Sequence, residues 1–182
     1  MISLFKAIQS GWQPPLHISE DEYNDVKNNK DKFPDYYVGF IGFNATFGAK
    51  YFGGYARGFK TDKFTPRDMP NEAIRNLLKQ KPAIQDVKFT CSDYMNNDFI
   101  ELKNAVIYCD PPYQGTTKYS TGQFDHVKFW NWCREMSKNN YLFVSEYNCP
   151  DDFMCIWSKN VTTSLKVFEH ESRVEKLFTY RE

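Results

Sequence analysis

The apolar run Ala105 to Cys109 ends without transition in Asp110-Pro111-Pro112-Tyr113. A short continuous apolar stretch of this kind reads as a strand of a parallel sheet, buried on both faces. Two successive prolines cannot extend a hydrogen-bonded ladder and have fixed φ, so the strand stops at Cys109 in a stiff turn. That turn holds the Asp110 carboxylate and the Tyr113 ring in fixed relation. A second apolar run, Tyr141 to Ser145, follows a helical pattern opened by Asp125, in which Phe129, Trp132, Cys133 and Met136 share one face. Strand, crossover helix, strand is the parallel βαβ unit. Val87 to Cys91, Met154 to Trp157 and Lys176 to Tyr180 read as further strands, which makes the fold class α/β. In open α/β sheets ligands bind beyond the carboxyl ends of the strands, where Asp110 to Tyr113 falls.

The first half of the chain follows another pattern. Ile2, Leu4, Phe5, Ile8 and Trp12 recur at helical spacing, closed by Gly11 and Pro14-Pro15, with no capping residue ahead of them. A short helix is expected from Ser19, where Ser19 and Glu22 fit a capping box. Tyr37 to Phe59 mixes six glycines with aromatics and reads as compact loop with short extended pieces, its rings serving mainly as core. Asn71 is expected to cap a helix through Lys79, buried along Ala73, Ile74, Leu77 and Leu78. Between Arg57 and Arg67, four cations (Arg57, Lys60, Lys63, Arg67) face one Asp62. That patch suits phosphate contact or a solvated face equally well.

Composition narrows the field. Lysine plus arginine equals aspartate plus glutamate at 23 each, so a uniformly basic nucleic-acid coat is excluded and any polyanion site must be local. The apolar runs are too short to cross a bilayer, and no secretory leader is expected. Five cysteines without a C-x-x-C pair argue against a disulfide framework and a zinc site, and for a reducing cytoplasm. No metal is expected, because the three histidines are scattered. Cys149 and Cys155 read as inert small residues, since no histidine or asparagine context marks a catalytic thiol.

The Asp110 turn has a definite chemical use. An exocyclic amine conjugated to a ring is a poor nucleophile because its lone pair is delocalised. A carboxylate accepting one N–H and a backbone carbonyl accepting the other localise that pair, and Asp110 with the carbonyl of Pro111 offers both acceptors. Tyr113 offers a face on which a flat substrate stacks. The plain alternative is a strand-ending turn with a surface aspartate. A given four-residue string arises by chance in a chain this long on the order of once in a thousand, which favours the functional reading.

Asp-Pro-Pro-Tyr is the catalytic motif of amino-group DNA methyltransferases, and the chain resembles the Dam-type adenine methylases, particularly phage-encoded members. The supporting stretches are Lys6 to Pro15, Phe47 to Gly58, Phe89 to Tyr94, Val144 to Phe153 and Val174 to Phe178, in the family's order. The resemblance implies transfer of methyl from S-adenosylmethionine to the N6 amine of adenine in double-stranded DNA, with the base extruded from the stack. It implies catalytic roles for Asp110, Pro111, Pro112 and Tyr113. It assigns the cofactor to Asp93, Tyr94 and Asp110, with Asp93 expected to end the strand Val87 to Cys91 at the same sheet edge as Asp110. Tyr113, Ser145 and Tyr147 are expected to wall the target-base pocket. Arg57 and Lys60, together with Lys118 and Tyr119 in the polar loop Gln114 to Gln123, are the expected DNA contacts.

Against that family pattern, an opening strand with its glycine-rich cofactor loop and a second strand ending in an acid are missing. Gly39-x-x-Gly42 and Gly53-Gly54-x-x-x-Gly58 are poor substitutes. The expectation is a single, amino-terminally truncated methyltransferase domain over residues 1–182. It would be an incomplete Rossmann-like sheet with a DNA-recognition insert at 34–84, in the cytoplasm of a bacterial or phage-infected cell. A partner chain or self-association would cover the gap. The competing reading is a non-catalytic DNA-binding remnant, or one subunit of a split enzyme. Aspartate at 110 favours adenine over the cytosine-amino and glutamine branches, and the absence of a Pro-Cys dipeptide excludes carbon-5 cytosine chemistry.

Overall fold

A computed structural model describes residues 1–59, 62–96, 99, 101–115, 124–163 and 171–181. The chain divides into two compact units, Met1–Cys91 and Ser92–Glu182.

The first unit is helical. Helix α1 (Ile2–Gln9) buries Leu4 and Ile8. It closes in a Schellman arrangement: Gly11, at φ 93°, donates to the Ile8 carbonyl and Trp12 to that of Ala7. Helix α2 (Glu20–Asn28) starts at Ser19, whose hydroxyl accepts from the Glu22 N–H at 3.1 Å. The reciprocal half of the expected capping box is replaced, since the Glu22 carboxylate accepts from the Tyr37 hydroxyl.

Helix α3 (Asp35–Asn44) corrects the reading of Tyr37 to Phe59 as loop. Val38 to Gly42 are all buried, and a helix enclosed on every side shows no amphipathic period to read. Its glycine at 42 serves close packing rather than a turn: a Cβ there would lie 2.6 Å from the Tyr51 ring and 2.7 Å from that of Phe52. The chain then folds back, with Ala56 donating to Ala45 and Thr46 bridging Tyr55. The short pair β1 (Gly58–Phe59) and β2 (Pro66–Arg67) leads into α4 (Met69–Gln80). The cap of α4 is Asp68, not Asn71; Asn71 donates its N–H to the Asp68 carboxylate at 3.0 Å. Leu4, Ile8, Tyr23, Phe40, Ile41 and Ile74 form the centre of this unit's core.

Val87 to Cys91 is not a strand. The Gln9 amide donates to the carbonyls of Ile84 (2.6 Å) and Val87 (2.7 Å), and Phe89 stacks on Phe5 with ring centroids 5.0 Å apart. A strand exists only through its neighbour, and here α1 satisfies this segment instead. Asp93 therefore does not end a strand, and its expected place at the edge of the sheet with Asp110 falls with it.

The second unit holds a four-stranded sheet in the order β3 (Val106–Cys109), β4 (Tyr141–Glu146), β6 (Glu171–Tyr180), β5 (Phe153–Thr163). β3 and β4 are parallel, joined through helix α5 (His126–Ser137), as the βαβ pattern predicts. β5 and β6 form a long antiparallel pair from Phe153↔Tyr180 to Thr163↔Glu171, and β6 runs antiparallel to β4, so the sheet is mixed. The Asp125 carboxylate caps α5 by accepting from the Lys128 N–H at 3.0 Å. Phe129, Trp130, Cys133 and Met136 pack on Leu142, Val144, Phe153 and Phe178.

On the opposite sheet face Val106 is 73% exposed, Tyr108 63% and Tyr141 69%, whereas Phe143 and Ser145 are half-buried. β3 is thus a one-faced edge strand rather than the fully buried strand its apolar run suggests, because α5 covers one side only. Among the described residues no helix is long and apolar enough to cross a membrane.

Candidate active site

Asn140 sets the level at which β3 leaves the sheet. Its side-chain oxygen accepts from the Ala105 N–H (3.0 Å), and its amide donates to Leu102 (2.8 Å) and Met136 (3.0 Å). The register then runs Val106↔Tyr141 to Cys109↔Val144, so Asp110 emerges level with Ser145. Asp110 is exposed, and no described residue donates a hydrogen bond to its carboxylate. Pro111 behind it is buried, which anchors the turn in the unit's interior.

Tyr113 meets Tyr147 edge to face, ring centroids 4.7 Å apart at 86°. Burial pushes the Tyr113 phenol up to about 12, with the Asp110 charge adding to the rise and a hydrogen bond with Ser145 working against it. The ring is therefore a neutral phenol at physiological pH. Ser145 also shares a 2.7 Å hydrogen bond with the Tyr108 hydroxyl. Of the expected site residues, the structure thus gathers Asp110 to Tyr113 with Ser145 and Tyr147 at the carboxyl ends of β3 and β4.

Beside these turns lies a cavity of about 300 Å³, at the lower end of the range of small-ligand sites. Gln114, His126, Trp130, Arg134, Asn148 and Pro150 contribute to its wall; Tyr113, Ser145 and Tyr147 are not among its lining residues. Arg134 is held by Asp152 through Nε–Oδ2 (2.5 Å) and Nη2–Oδ1 (2.9 Å).

Asp93 lies in a turn, exposed, with Oδ1 accepting from the Met95 N–H at 2.8 Å. The Tyr94 ring packs against Trp132 (5.3 Å), Phe129 (5.7 Å) and Phe124 (6.1 Å). Burial raises its phenol above the ordinary value. The indole Nε1 of Trp132 is buried with no hydrogen-bond partner among the described residues. Of the two cysteines read as inert, Cys149 has its thiol pushed up by burial, which disfavours the reactive thiolate, whereas Cys155 is exposed.

Arg57 belongs to the first unit, where its guanidinium is ion-paired with Glu20; Arg67 is similarly paired with Glu72. The two arginines of the expected positive patch are therefore partly neutralised by glutamates from outside the sequence window that suggested it. Lys60, Lys118 and Tyr119 lie outside the described residues.

Glu146 stands between Ser145 and Tyr147 at the expected pocket wall, but sequence reading gives it no role of its own. It is 1% exposed, its Oε2 accepting from the Gln114 N–H (2.9 Å) and its Oε1 from the Tyr147 N–H (2.7 Å). The signal was present, since residues 142, 144 and 146 share a strand face and the first two are apolar core.

At the end of a parallel strand the turn thus presents the exposed Asp110 carboxylate close to the half-buried Tyr113 ring. The family model of the D12 class N6 adenine-specific DNA methyltransferases matches residues 9–177, and the chain belongs to that family. Enzymes of this family methylate adenine in DNA with S-adenosylmethionine as methyl donor. No curated protein and no solved structure matches the chain.

Proposed function

We infer that this chain itself transfers methyl from S-adenosylmethionine to the exocyclic N6 amine of adenine in double-stranded DNA, site by site. The observation that carries the reading is the Asp110 carboxylate: exposed, without a described partner, at the head of a turn pinned by buried Pro111. An exposed carboxylate with no partner among the described residues is available to a substrate N–H. The Pro111 carbonyl takes the second N–H, which restores the nitrogen lone pair as a nucleophile. Tyr113, a neutral phenol, stacks on the extruded base, with Ser145 and Tyr147 bordering it. The methyl–sulfur bond of the donor would break as the N–C bond forms, its sulfur keeping the electron pair as a neutral thioether, and the amine proton would pass through the exposed Asp110 to water.

The chemistry of the Asp93–Tyr94 turn fits the adenosyl end of the cofactor. Asp93 has one oxygen on the Met95 N–H and further lone pairs for an amine, and Tyr94 is braced by Trp132, whose orphaned indole N–H adds a donor. When bound, the cofactor supplies an electrophilic methyl group. On this reading the sheet is the carboxyl-terminal portion of a Rossmann-like arrangement, residues 34–84 carry DNA recognition, and Arg57, Lys60, Lys118 and Tyr119 contact DNA. Arg57 would exchange Glu20 for phosphate, a small cost for an exposed pair.

The test is incorporation of labelled methyl into duplex DNA by the purified chain, with Asp110→Ala as control. Label in N6-methyladenine that depends on Asp110 supports the reading. A wild-type chain that binds DNA and transfers nothing overturns it in favour of a DNA-binding member of the family.

A further inference from the structure

We propose that Glu146 is a positioning residue that locks the catalytic turn to the end of β4; the idea rests on the methyltransferase reading above. A carboxylate buried this completely is costly unless its oxygens are satisfied. Among the described residues no cation pairs with Glu146, and its partners there are two backbone amides. Those amides are informative. The Gln114 N–H directly follows Tyr113, and the Tyr147 N–H directly follows the end of β4.

One rigid, planar group therefore grips the backbone immediately beside each of the two rings that meet at 4.7 Å. An apolar side chain of similar volume, such as methionine, would fill the same core space and cost less to bury, so packing does not account for a glutamate here. What the carboxylate adds is a fixed separation between the Asp-Pro-Pro-Tyr turn and the facing wall. A misplacement of about 1 Å at such a site costs catalysis on the order of 10²-fold. Asp110 reaches its amine correctly only while Gln114 stays tied.

Glutamine is the sharp probe. It keeps the shape but offers one acceptor and one N–H₂ group, so one of the two backbone amides would face a donor. In the full chain, Glu146→Gln is expected to lower kcat at least tenfold, with KM for DNA and for S-adenosylmethionine within about threefold of wild type. Hydrogen exchange of the Gln114 and Tyr147 amides should accelerate at least tenfold, while the β5–β6 amides keep their protection. Glu146→Met, which fills the space without acceptors, should reproduce both effects and decides the matter if the glutamine variant does not fold.

Unchanged kcat with unchanged protection would overturn the proposal. So would a general loss of protection across the sheet together with a rise in KM and a fall in kcat, which marks an ordinary core residue. If the wild-type chain transfers no methyl group, the functional reading fails on its own, and the exchange of the two amides alone decides whether Glu146 locks the turn.

Discussion

In the unit Met1–Cys91 the inward-reaching polar side chains are spent on that unit's own backbone. The Tyr23 hydroxyl accepts from the Gly54 N–H, Tyr55 donates to the Ile18 carbonyl, and the Gln9 amide holds Ile84 and Val87. In the unit Ser92–Glu182 the valencies are distributed differently. Glu146 is buried and spent on two loops, whereas Asp110 is exposed and spent on none among the described residues. The first arrangement ties its polar groups into the fold. The second leaves the Asp110 acceptor available among the described residues and anchors the backbone beside it, which is how a site differs physically from a core.

Substitutions can break or sharpen that contrast. The largest effect expected is on stability: Phe40→Ala, at a fully buried ring, should destabilise the first unit by about 3–5 kcal/mol in urea unfolding. Asp110→Ala should leave unfolding unchanged and lower kcat for methyl transfer by about 10²–10³-fold. A drop in stability there would erase the distinction between the units. Gly42→Ala drives a Cβ into the Tyr51 and Phe52 rings and should cost about 1–3 kcal/mol, read as a lower midpoint with unchanged m-value.

Asp68→Ala removes the side-chain cap of α4 and should cost about 1 kcal/mol by thermal melting followed by circular dichroism. The smallest effect is a pH dependence. The hydrogen bond from Arg134 holds the Asp152 carboxyl below its ordinary value of 3.8. Its contribution is therefore complete above that value and is lost as pH falls through the lower, folded-state value. Asp152→Asn should flatten the acid limb of the stability curve below pH about 4, as measured by denaturant titration across pH. Because both side chains are about a third exposed, solvent screening keeps this effect small.

Local signals were readable wherever the cause was local. The caps at Ser19 and Asp125 act as expected, the crossover helix buries Phe129, Cys133 and Met136 as anticipated but Trp130 rather than Trp132, and the Asp-Pro-Pro turn ends its strand where two prolines must end it. Two misreadings share one origin. Helix α3 looked like loop because its glycines were taken as turn residues, when the one at 42 makes room for rings from the following segment. Val87 to Cys91 reads as strand because its composition suits one, whereas Gln9, far away in sequence, takes the Val87 carbonyl and no strand among the described residues pairs with the segment. Glu146 has no role of its own in the sequence because one of its partners follows a different turn, although its parity on β4 places it inward.

The order of residues by itself determined the chemistry on offer: an acid, two prolines and a tyrosine after an apolar run, a combination rare enough to indicate its family. Three-dimensional packing decided which acids would be free to use that chemistry. Glu20, Glu22, Asp68 and Glu146 are all engaged by groups that folding brings to them, whereas Asp110 retains its full accepting capacity among the described residues. Residue type fixes how many lone pairs a side chain has; only the approach of distant backbone and side chains fixes how many remain.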